Sequence, residues 1–254
     1  METLAIGLLG FFTAGYFALA GADLGLGMLL PLLGRDRADR DRIAAALAPY
    51  FLGSEVWLVA AAGVFIGCFP ELEGELFTEL LPVLVLLLAG WIVRDAGLWW
   101  RVHGGRVPDV MICAGSWTVV AAWGWALAGL LGGAGALALA TVAGVALLFA
   151  AHGLGYGALR LTGEPYRRAR QLAGGPGRGQ TFALTGAVLA ALPLLAGAGL
   201  PLRENAAAGP VLGLLVPALT AFVPVLLAAQ LWLWRATART GPREGAARTT
   251  AFFF

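Results

Sequence analysis

The chain has 254 residues, of which 59% are hydrophobic and only 13% charged. That balance excludes an ordinary water-soluble domain. Apolar runs of roughly 20 residues recur, each long enough to cross a hydrocarbon core about 30 Å thick. Backbone groups in lipid must be satisfied within the segment, so these runs read as helices; the short alternating strands of a membrane barrel are absent from the sequence.

In chain order, seven spans are predicted. The first, 4–33, holds Asp23 within it. It is too long for a signal peptide and lacks a basic start, so it is read as a helix of the mature protein. The second, 43–69, carries Glu55 and is followed by an acidic loop with Glu71, Glu73, Glu75 and Glu79. The third, 80–100, contains Arg94 followed by Asp95; the fourth is 110–131. The fifth, 136–161, contains His152, and the sixth and seventh are 181–200 and 210–234. The expected fold is an all-α polytopic transmembrane bundle. No long polar stretch divides it, so residues 1–236 form one membrane domain, with a first four-helix bundle at 1–131 and a shortened second bundle at 132–236. Residues 237–254 read as a disordered cytoplasmic tail.

All 17 basic residues are arginines, and they fall mainly on one side of this arrangement. Arg35, Arg37, Arg40 and Arg42 follow the first span, and Arg101 and Arg106 the third. Arg160, Arg167, Arg168, Arg170 and Arg178 follow the fifth, and Arg235, Arg239, Arg243 and Arg248 close the chain. Only Arg203 falls on the other side, with the acidic loop. By the positive-inside rule the N-terminus is outside and the C-terminus cytoplasmic, which requires an odd number of spans. Beside membrane spans, these arginines do not read as a nucleic-acid surface.

An ionisable side chain at membrane depth costs at least roughly 2.5–3.5 kcal/mol on insertion scales, which makes each one a functional candidate. Asp23 and Glu55 lie on the order of 15–18 Å from the arginine-rich end, and Arg94 roughly 10 Å from it with a long side chain to reach deeper. One polar cluster on three consecutive helices is therefore expected. It reads either as an ion pair that fixes helix register or as a proton path or charged field beside a redox centre. Low dielectric favours the neutral form of a carboxylic acid, which suits such groups to carry protons. Ser54 and Trp57, which flank Glu55, and His152 are further candidates. His152 also reads as a helix–helix hydrogen-bond donor. Gly21 with Gly25, and Gly153 with Gly157, have the small-xxx-small spacing that lets helices approach closely. Cys68 and Cys113 suggest neither a disulfide nor a metal site. With His103 the only other histidine, no bis-histidine haem site is expected in this chain alone.

Several segments resemble subunit II of the cytochrome bd-type quinol oxidases. The run Gly15 to Met28, with Asp23 at its centre, resembles that family's first helix. Pro49 and then Gly53-Ser54-Glu55-Val56-Trp57, with Phe69-Pro70 after them, resembles its second. Arg94 with Arg101 is similar to the end of its third helix. His152 to Glu164 with Arg167 to Arg170, and Asn205 to Pro210 with Phe222 to Trp232, are similar to later segments. The family usually runs longer, and the shortfall here falls between Leu200 and Asn205. Two acids common in the family are replaced by Ala20 and Leu52.

The resemblance implies an accessory subunit in the bacterial cytoplasmic membrane, paired with a larger subunit I that holds haems b and d and the quinol site. The complex would oxidise quinol and reduce dioxygen to water, with lipids and quinone as further contacts. No cofactor is expected on this chain alone. Asp23 and Glu55 would supply protons from the cytoplasm or tune the field, and Arg94 would partner them. Two other functions fit the residues: a non-catalytic scaffold of the same family, and a small secondary transporter using Asp23 and Glu55.

Overall fold

The computed structural model describes residues 1–174 and 179–239, with side chains except at 48–52 and 237–239. Every regular element among them is helical. In order these are α1 (Glu2–Met28), α2 (Leu30–Leu33), α3 (Arg37–Cys68), α4 (Pro70–Glu79), α5 (Leu81–Trp100), a 3₁₀ turn (Arg101–His103), α6 (Val107–Leu130), α7 (Gly135–Arg160), α8 (Gly163–Leu172), α9 (Gln180–Gly197) and α10 (Gly209–Arg239). Among the described residues, six helices are long and apolar enough to cross a membrane: α1, α5, α6, α7, α9 and α10. A seventh span is reached when the apolar part of α3 is counted with α4, to which it is bent by 116°.

The breaks have local causes. Proline lacks an amide hydrogen and fits only the first turn of a helix. Pro31 near the start of α2 interrupts the first apolar run at Leu29, and Pro70 at the start of α4 ends α3 at Phe69. The acidic stretch expected to be a loop is therefore a short helix set across α3, with Leu72 buried beneath it. Helix α3 begins at Arg37, six residues before the expected start at Ile43. The Asp36 carboxylate accepts from the Asp39 amide at 2.7 Å and caps it there. The basic stretch after α7 likewise forms a helix, α8. At the other end, α10 runs on to Arg239, three residues into the expected tail; residues 240–254 lie outside those described.

Helix α1 is the axis of the bundle, packed against α3, α6, α7, α9 and α10, while α5 lies on α6. The main core draws from both halves of the chain, from Phe12, Tyr16 and Val64 to Phe149, Leu189 and Val216. Glycines allow the closest crossings. A Cβ on Gly25 would stand 2.0 Å from the Phe149 carbonyl oxygen, and one on Gly153 would stand 2.3 Å from the carbonyl carbon of Gly25. At this point α1 and α7 touch backbone to backbone, as small residues permit in lipid.

The arginine-rich end is held by ion pairs. Buried Asp39 meets Arg42 at 3.0 Å and Arg168 at 2.8 Å, and Arg168 also donates to the Leu33 carbonyl at 2.6 Å. Asp109 pairs with Arg40 at 2.7 Å and with Arg101, which also meets Asp41. Together these tie α3, the 3₁₀ turn, α6 and α8. Isolated exposed pairs stabilise little, but the inner members of this set are largely shielded from water.

Candidate functional site: a buried carboxylate–guanidinium cluster

The central contact joins α1 to α5. Arg94 Nη2 donates to Asp23 Oδ2 at 2.6 Å, and both side chains are only 1% exposed. Arg94 Nη1 donates to Asp95 at 3.1 Å. Helix α5 reaches this depth because it lies flush on α6. A Cβ on Gly115 would sit 2.6 Å from both the Arg94 amide nitrogen and the Gly90 carbonyl oxygen. A charge-assisted pair of this length is among the stronger hydrogen bonds. In low dielectric, removing either partner strands the other.

Helix α3 supplies the rest of the cluster. Ser54 is buried, and its hydroxyl donates to Asp23 Oδ2 at a long 3.4 Å. The Glu55 carboxyl on α3 faces that of Asp95 on α5, close enough for the two to interact. Glu55 and Asp95 are half-buried. The cluster thus runs from a carboxyl pair at the side of the bundle, between α3 and α5, to a fully buried ion pair against α1. Asp23 Oδ1 accepts no hydrogen bond among the described residues.

Trp57 packs against α1 where Gly15 leaves room: a Cβ there would lie 2.1 Å from the indole. Its ring also meets Phe11 and Phe12, with centroids 5.1 and 6.1 Å away. His152 is separate from the cluster. Its Nε2 faces the Ala18 carbonyl at 3.1 Å, its Nδ1 the Thr185 hydroxyl at 2.7 Å, and its ring stacks on Phe182. It therefore bridges α7 to α1 and α9.

Two participants were not singled out by sequence reasoning. Asp95 was noted only as the residue after Arg94, and its adjacency was the available signal. The other is Tyr16, buried on the same face of α1 as Asp23, whose hydroxyl accepts from Trp123 Nε1 at 3.0 Å. The seven-residue spacing, two turns, was its signal.

The sequence profile described as cytochrome bd terminal oxidase subunit II matches residues 1–253. The chain belongs to that family. Cytochrome bd-I ubiquinol oxidase subunit 2 of Escherichia coli (strain K12) is 31% identical over 94 residues, which are 37% of this chain and 25% of that protein. The probable cytochrome oxidase subunit 2 of Haemophilus influenzae is 31% identical over 87 residues, 34% of this chain and 23% of that one. Cytochrome bd ubiquinol oxidase subunit 2 of Bacillus subtilis is 32% identical over 76 residues, 30% of this chain and 22% of that one. The matched stretches thus span a quarter or less of these relatives.

The family's description names a cytochrome, which implies haem, but the two histidines of this chain do not offer it a free pair of ligands. Both nitrogens of His152 are engaged within the bundle, and His103 is exposed on the 3₁₀ turn. Among the described residues, no three His, Cys, Asp or Glu side chains converge as metal ligands.

Proposed function

We propose that this chain works as subunit II of a membrane-bound bd-type oxidase in the bacterial cytoplasmic membrane, beside a larger haem-bearing subunit I. The complex oxidises quinol and reduces dioxygen to water, and this chain stabilises the partner and helps to supply protons. The arginine-rich end is cytoplasmic in this reading, and protons enter from it. Asp23, Glu55 and Arg94 are the residues assigned to proton supply or to the local field, with Ser54 orienting Asp23. Trp57 and His152 hold the helices in place.

The observation that carries this reading is the continuity of the cluster. Dioxygen reduction consumes protons, and a path through low dielectric needs groups that hold and release them. Glu55 and Asp95 stand together at the side of the bundle, and Arg94 links Asp95 to the buried Asp23 behind them.

The test is to purify the chain with its membrane partners and record a reduced-minus-oxidised visible spectrum together with quinol-driven oxygen consumption. Haem b and d bands in a larger co-purifying subunit, with oxygen uptake, support the assignment. A chain that purifies without a haem protein overturns it. A scaffold role is the second reading, favoured by the near-complete burial of the Asp23–Arg94 pair. Under it, replacing both residues by apolar ones preserves turnover.

A further inference from the structure

Two buried polar groups on one face of α1 each lack what the other offers. Among the described residues, Asp23 Oδ1 is an acceptor with no donor. The Tyr16 hydroxyl is fully buried and receives a hydrogen bond from Trp123 Nε1 at 3.0 Å, but its own proton has no acceptor among the described residues. The two residues are seven apart, two helical turns, so their side chains leave α1 in nearly the same direction about 10.5 Å apart along the axis. The hydroxyl lies within electrostatic reach of Asp23, Arg94 and Glu55. Buried polar atoms are rarely left unpaired, and ordered water commonly completes them.

We propose that Tyr16 is a positioning residue for Asp23, linked to its free carboxylate oxygen through a chain of roughly two or three buried waters. Trp123 donates to the tyrosine oxygen and so polarises the O–H bond, which strengthens the hydrogen bond that Tyr16 passes on. The carboxylate is then fixed from two sides: Oδ2 by Arg94 and Ser54, and Oδ1 by the tyrosine chain.

The charged and titratable groups around Asp23 are few. Helix α5 brings Arg94 and Asp95, and α3 brings Glu55. Helix α7 brings His152, whose ring packs beside Gly21 with both nitrogens engaged. From α6 and α9 the polar side chains met here, Trp123 and Thr185, are neutral; the one acid of α6, Asp109, is paired with Arg40 and Arg101 at the arginine-rich end. Tyr16 is thus the one group assigned to Asp23 Oδ1, and its removal acts on Asp23 through a hydrogen bond and not through a change of net charge.

This inference rests on the proton-supply reading above. Its test is the pH profile of quinol-driven oxygen consumption per haem in the purified complex. Losing the hydroxyl that anchors the water chain weakens the hydrogen bond its last water donates to the carboxylate, which favours the protonated form. Whichever form of Asp23 the reaction needs, Tyr16→Phe therefore moves the Asp23-dependent limb by about one pH unit to the alkaline side. Trp123→Phe moves it the same way by less, and Phe17→Leu, which changes packing in the same aromatic cluster, leaves its position unchanged. An unmoved profile in Tyr16→Phe overturns the proposal, and the proton-supply reading survives if Asp23→Asn still lowers turnover. Wild-type turnover in Asp23→Asn overturns both. If Tyr16→Phe fails to assemble, Trp123→Phe decides: a displaced limb supports the link and an unmoved one overturns it.

Discussion

Arginine 94 is fully enclosed by the bundle, and its position at Asp23 accounts for how a guanidinium is tolerated there. Replacing Arg94 by leucine leaves Asp23 charged without a counter-ion. The expected loss is about 3–5 kcal/mol, the range for breaking a buried pair from one side. Replacing both, with Asp23→Val and Arg94→Leu, should recover most of that loss, because neither charge is then stranded. Thermal unfolding of the purified complex measures both; a single variant as stable as the double would contradict the pairing. At His152 the effect differs in kind. His152→Phe leaves the Ala18 carbonyl and Thr185 hydroxyl without their imidazole partner, and about 1–3 kcal/mol of stability should go with it. The haem spectrum of the complex should not change; a lost haem band would show that the residue does more than join helices. That Asp23 and Arg94 meet was readable from depth alone, since charges on consecutive spans have few ways to be compensated in lipid. The carboxyl contact between Glu55 and Asp95 was not readable, because it depends on how α3 and α5 are rotated about their own axes.

Among the helices, the decisive contacts are made by glycines that carry no chemistry. Gly25→Ala puts a methyl group 2.0 Å from a backbone oxygen of α7, and the backbone cannot give way as a side chain would. Gly115→Ala does the same between α6 and α5 and pushes directly on the segment that carries Arg94. Both should lower the yield of folded, partner-bound protein. Gly63→Ala meets nothing within 4 Å and should be neutral or stabilising by up to about 1 kcal/mol. Size-exclusion profiles and melting temperatures separate the two classes; equal behaviour would refute the crossing geometry. The small-xxx-small spacings of Gly21 with Gly25 and of Gly153 with Gly157 mark two close-packing faces, though not that they meet each other. The use of Gly90, Gly97 and Gly115 between α5 and α6 was not visible, because 37 glycines hide any three of them. Helices α4 and α8 look like loops in the sequence for a related reason. Their charges look like connecting sequence, yet each buries a narrow strip against the bundle, Leu72 in α4 and Pro165 with Ala169 in α8.

For the molecule as a whole, long apolar runs set the spans, since hydropathy over 20 residues is a strong signal. Their arrangement around α1 is tertiary and leaves little trace in one sequence. The same arginine asymmetry implies an orientation that labelling can check. In a background with Cys68 and Cys113 replaced by alanine, Glu75→Cys should react with a membrane-impermeant maleimide on intact cells and Arg106→Cys should not. The reverse pattern would invert the topology and place proton entry on the wrong side. The proton-supply role itself is tested most directly by the oxygen-consumption rate of the Asp23→Asn complex, divided by its haem content. If Asp23 supplies protons or sets their affinity, that rate should fall at least about tenfold while the haem bands stay intact. A rate equal to that of the unaltered complex would contradict the role and leave the Asp23–Arg94 pair as a structural fastening.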